Sequence, residues 1–135
     1  MKTVLIMRGL AKGRRQKLID EFKCGRDIKN WKQIDTPAPK EKLSLDQLKD
    51  LSKYYFNEFK NEISKGTELI IVNNSNIKSY HYYQYLDYAQ CNDYLVAIVI
   101  VPWNDLSDRE LSADGGNEKP MGTFRRYRKE FQWSL

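Results

Sequence analysis

The chain reads as an α/β domain, a three-layer sandwich on a mainly parallel sheet of about four strands. Three observations predict this. Apolar runs of strand length recur at Thr3–Met7, Glu68–Val72 and Tyr94–Val101. The segments between them space their apolar residues as helices do, so strands and helices alternate. Capping signatures and glycines punctuate the helical segments. With 135 residues, one domain can bury a real core.

In chain order, Thr3 to Met7 is a buried strand. Arg14 to Cys24 is a helix with Leu18, Ile19 and Phe22 on one face, stopped by Gly25. Trp31 to Asp35 is a short strand, and the prolines of Thr36-Pro37-Ala38-Pro39 make a loop. Ser44-Leu45-Asp46-Gln47 is a capping box. It opens a helix to about Lys65, with Leu48, Leu51, Tyr55, Phe59 and Ile63 as its apolar stripe and Gly66 as its stop. The second strand run follows, then a polar turn, Asn73-Asn74-Ser75-Asn76. Ser79 to Gln90 reads as a tyrosine-rich helix, and Tyr94 to Val101 as a strand stopped by Pro102. Ser107-Asp108-Arg109-Glu110 repeats the capping pattern for a short helix. Ala113 to Lys119 is a loop, and Pro120 opens a last helix carrying Phe124, Tyr127 and Phe131.

The net charge is +5, an excess that favours polyanions. It is concentrated in two places. Lys2, Arg8, Lys12, Arg14, Arg15 and Lys17 precede the first acid, Asp20, and Arg125, Arg126, Arg128 and Lys129 lie near the other end. A fold that joins the clusters makes one strongly positive face. No apolar run approaches the roughly 20 residues that cross a bilayer, so no membrane partner is expected. No signal-peptide pattern precedes Gly9. Cys24 and Cys91 lack metal-ligand spacing and read as reduced thiols, which fits the cytoplasm.

The turn after the first strand carries the sharpest signal. A Walker A loop is G-x-x-x-x-G-K-[ST] between a strand and a helix. Gly9 fills its first position. Arg14 falls on the second glycine, Arg15 on the lysine and Gln16 on the hydroxyl that binds magnesium. Taking Gly13 as the second glycine shortens the loop and still leaves no hydroxyl.

Taken in order, these pieces resemble the P-loop polynucleotide-kinase-like family, among the ATP-binding kinases that include zeta-toxin-like members. Met7-Arg8-Gly9-Leu10 resembles the family's strand-one exit, R-G-L-P-G-S-G-K-S-T. Glu68 to Ile77, ELIIVNNSNI, resembles its third-strand segment, V-I-V-D-N-T-N-I. Asp105 to Phe131 resembles its lid and last helix, where R-N-x-H-G-V-P precedes the helix. The resemblance implies a P-loop-kinase-like sandwich with the first strand central, between the ELIIV and YLVAIVIV strands. It also implies that ATP and Mg²⁺ serve as cofactors only if the loop still functions.

The departures from the family lie where the chemistry would be. A phosphate cradle needs close backbone N–H groups and a lysine, but Arg14 brings a side chain and Arg15 a larger, flatter cation. Asn73 stands where the family's metal-holding acid would be, and the lid arginine falls at Gly115 or Gly116. The expectation is a domain of this fold without kinase activity that acts by binding a nucleic acid, a nucleotide or a host protein. Such a stripped copy fits an accessory or inhibitor protein of a phage or mobile element. If the domain were active, Arg15 would hold phosphate, Asp35 would be base or substrate anchor, and Arg125 or Arg126 the lid cation.

The candidate phosphate-binding residues are therefore Gly9, Lys12, Gly13, Arg14, Arg15 and Lys17, at a helix N-terminus that attracts anions. The alternative is a solvated helix start. Arg125, Arg126, Arg128 and Lys129 are candidate nucleic-acid contacts, and the aromatics among them either stack on bases or pack inwards. Tyr82, Tyr83 and Tyr85 are a candidate protein-binding face, since tyrosine is enriched at interfaces. A half-buried helix is the alternative. The turn at Asn73–Asn76 is either a ligand contact at a strand end or a plain polar turn. His81 has no partner at ligand spacing, so no metal site is expected.

Overall fold

The computed structural model describes residues 2–24, 28–35, 44–114 and 121–133. Expectations for Gly25, Thr36–Pro39, Gly115, Gly116 and Pro120 lie outside the described residues. Among the described residues four strands form one sheet: β1 (Thr3–Arg8), β2 (Trp31–Asp35), β3 (Leu69–Asn73) and β4 (Leu95–Ile100). Their order is β2-β3-β1-β4 and every pairing is parallel. The α/β class is therefore as the sequence pattern predicts, and β1 lies between β3 and β4 as the resemblance implies.

The helices are α1 (Lys12–Lys23), α2 (Leu45–Lys65), α3 (Tyr83–Cys91), α4 (Asp108–Ala113) and α5 (Met121–Glu130). Both capping boxes form, at Ser44 with Gln47 and at Ser107 with Glu110. Gly66 closes α2 in the left-handed conformation, where a side chain would be strained.

Alternation along β1 divides the core into two layers. Val4 and Ile6 join Ile70, Val72, Phe59, Ile63, Tyr82, Tyr85 and Ala89 on the side of α2 and α3. Leu5 and Met7 join Ile71 and Ile19 on the side of α1. A third cluster, including Leu10, Trp103, Leu111, Phe124 and Phe131, seats α4 and α5 beyond the carboxyl end of β1.

Three helical readings need correction. On α1, Leu18 is 36% exposed while Arg15 is buried, because Arg15 finds polar partners at the sheet end. On α2, Leu48 is exposed and only Phe59 and Ile63 are fully buried, because the sheet reaches only the second half of that helix. The tyrosine-rich helix is broken into a 3-10 turn at Ser79–His81 followed by α3.

Candidate functional site

Strand β1 leads into the site through Gly9. Its φ is +135°, and its N–H donates to Ser75 O at 3.0 Å. A Cβ there would lie 2.5 Å from the backbone oxygen of Val101. Glycine is thus required where β1 passes β4, whatever binds nearby.

Helix α1 begins three residues later, at Lys12. Ala11, its N-cap, supplies no side-chain acceptor. A carboxylate from far along the chain does so instead: Gly13 N–H donates to Asp114 Oδ2 at 2.6 Å. Helix amino ends present unpaired N–H groups and a partial positive charge, so this is where an anion docks.

The arginines of the loop are engaged by the protein. Arg15 is buried, and its Nε donates to Asn73 Oδ1 at 2.9 Å while its Nη1 donates to Gly9 O. Asn73 Nδ2 donates in turn to Asp35 Oδ1 at 2.7 Å, and Gln33 Nε2 to the same oxygen at 2.9 Å. Gln33 also donates to Gln16 Oε1 at 2.7 Å. A polar chain thus ties α1 to the ends of β1, β3 and β2. Burial pulls the Arg15 guanidinium down to about 10, against the attraction of Asp35 and Asp114, so it remains a cation at neutral pH.

Arg14 grips Asp105 with both terminal nitrogens, each at 2.7 Å, and donates to Pro102 O at 3.2 Å. Its hydrogen bonds hold the Asp105 carboxyl down to about 2. Lys12 and Lys17 are exposed.

The second basic cluster lies on α5. Arg128 Nε donates to Asp108 Oδ1 at 2.8 Å, and Nη2 to Leu106 O. Arg125 lies 3.7 Å from the other oxygen of Asp108. Arg126 is exposed and rests beside the Tyr127 ring, and Lys129 is exposed. Phe124 and Phe131 are buried, so these two pack inwards. Helix α4 joins the two clusters, since Asp114 at its end touches α1 and α4 packs on α5.

The tyrosines divide. Tyr82, the residue that caps α3, and Tyr85 in its first turn are core residues packed with Val4, Ile6 and Phe59. A partner face on Tyr82, Tyr83 and Tyr85 therefore keeps only Tyr83, 43% exposed. The Asn73–Asn76 turn serves the backbone: Asn76 Nδ2 donates to Met7 O at 2.7 Å, and Asn74 Oδ1 accepts from Ser75 N–H.

Sequence reasoning misses Arg8, Asp105 and Asp114. Arg8 is fully buried between the rings of Tyr82 and Phe131, and donates to the carbonyls of Asn76, Ile77 and Gln132. Its rings and carbonyls come from distant segments, so no local pattern marks it. Among the described residues no group of three or more His, Cys, Asp or Glu could hold a metal ion.

The strand order, the site at the carboxyl ends of β1 and β3, and the loop into α1 can be set beside known structures. One chain of a solved structure described as the Pnkp1/Rnl/Hen1 RNA repair complex superposes with a TM-score of 0.62 over 98% of this chain. The fold is P-loop-kinase-like. Identity to that chain is 16%, and this chain spans 44% of its length, so the likeness concerns the fold. No family model and no curated protein matches the sequence.

Proposed function

We propose that this domain is a polynucleotide-kinase-like fold that has given up phosphoryl transfer and acts by binding a polynucleotide. The observation that carries the first half is the Asp114 carboxylate on the Gly13 N–H at 2.6 Å. A phosphate at the amino end of α1 would have to displace this anion from its own donor. The guanidinium groups that would draw phosphate in are turned to Asn73, Gly9 and Asp105. Gln16 offers no hydroxyl and Asn73 no carboxylate for magnesium, and transfer depends almost wholly on such positioned charge.

The second half is supported by the basic excess and by the exposed Arg125, Arg126 and Lys129 beside α4, with Lys12 and Lys17 on the α1 side. It is also supported by the neighbour's place in an RNA repair complex. The test is twofold. Incubation with labelled ATP, Mg²⁺ and a 5′-hydroxyl oligonucleotide should transfer no label. Transfer that Arg15→Ala abolishes would establish an active kinase instead. A labelled oligonucleotide should bind, and its affinity should fall steeply with salt and weaken on replacing Arg125 and Arg126 with alanine. Binding that ignores salt or the double substitution would overturn the polynucleotide reading.

A further inference from the structure

The two edges of the sheet are built differently. The β2 edge carries Lys32 and Asp35, and Lys32 pairs with Glu58 at 3.1 Å. Charges of this kind blunt an edge against further pairing. Strand β4, the other edge, has no charged or polar side chain from Leu95 to Val101.

The direction of its backbone follows from the ladder. Leu95 N–H donates to Lys2 O at 3.0 Å, and Val101 N–H to Arg8 O at 2.8 Å. By alternation, the amides of Leu95, Ala97, Val99 and Val101 face β1. Those of Val96, Ile98 and Ile100 face outwards, along an edge that no other strand among the described residues pairs with. Beside this edge lies a groove of about 410 Å³ between β4 and α3, lined by Tyr82, Tyr83, Leu86, Gln90, Val96 and Ile98.

We propose that a second copy of this chain occupies the edge, its β4 running antiparallel to the first with Ile98 opposite Ile98. The strand is self-complementary in this register. Ile98 pairs with Ile98 and Val96 with Ile100, so every outward N–H meets an outward C=O. No like charges are brought face to face, because the strand carries none. Pro102, which would extend the outward row, has no N–H and ends the ladder. The two-fold axis sets both α3 helices on one face of the continued sheet, and Tyr83 and Leu86 of each approach the other across the grooves. A charged partner strand would set its side chains against Leu86, Val96 and Ile98 of the groove.

The experiment is sedimentation equilibrium of the native chain over a wide concentration range, with amide hydrogen exchange at both ends of the range. The proposal expects a doubled mass at high concentration, and exchange at Val96, Ile98 and Ile100 slowed by roughly tenfold or more there. Ile98→Pro removes an outward N–H without touching the β1 ladder, and should give a monomer with an unchanged far-ultraviolet spectrum. If that variant fails to fold, exchange in the native chain still decides. A monomer at all concentrations would overturn the proposal. So would a dimer whose protection lies elsewhere, or one that survives in folded Ile98→Pro.

Discussion

Replacing Gly9 with alanine is expected to be among the most damaging single changes to this domain. The residue sits at φ +135°, outside the range of ordinary side chains. Holding a non-glycine residue in such a conformation costs about 1–3 kcal/mol. The new methyl would also lie 2.5 Å from the Val101 oxygen. That residue cannot retreat easily, because its N–H holds Arg8 O at 2.8 Å and its peptide ends the β4 ladder. Overpacking of this kind adds about 1–3 kcal/mol. The total, about 2–6 kcal/mol, is a large part of the ~5–15 kcal/mol that holds a domain together. With a urea slope of about 2 kcal/mol per molar, the midpoint should fall by about 1–3 M. Gly122→Ala is the control: nothing lies within 4 Å of its added Cβ on α5. It should be neutral or stabilising by up to about 1 kcal/mol. A Gly9→Ala midpoint equal to that of the unchanged chain would refute the close passage of β1 against β4.

Two further predictions concern protons. Carboxyl resonances followed by pH should show Asp105 titrating at about 2, and Arg14→Ala should return it to the ordinary range. Its folded value is depressed, so the pair's contribution is present above the usual carboxylate pKa and disappears as pH falls towards 2. An unshifted Asp105 would contradict the Arg14 clamp. Burial pushes the Tyr85 phenol up to about 12. The folded state therefore holds that proton more tightly, and stability is lost as pH rises from the ordinary phenol value towards 12. Tyr85→Phe should flatten this alkaline loss in a denaturation series, and an unchanged slope would contradict the burial.

Much of the fold was legible because its signals are local. The runs at β1, β3 and β4 are apolar on both faces, as parallel strands between helix layers must be. The boxes at Ser44 and Ser107 are written in four consecutive residues. The illegible parts depend on distant partners. Hydropathy places an arginine outside, yet Arg15 and Arg8 are buried because Asn73 and the carbonyls of Asn76 and Ile77 come from the next strand's exit. The one clue was Asn73 itself, an amide that can accept from Arg15 and donate to Asp35 at once. Asp114 is separated from Gly13 by 101 positions, and nothing in either neighbourhood announces the contact. The α3 tyrosines show the same limit, since composition alone could not say which phenols the sheet covers.

The most direct test of the central claim is calorimetric titration of the domain with ATP, with and without Mg²⁺. Asp114 on the amino end of α1 and Arg15 turned to Asn73 predict no saturable heat in either case. Saturable binding strengthened by Mg²⁺ would mean that the phosphate site still works, and would contradict the account.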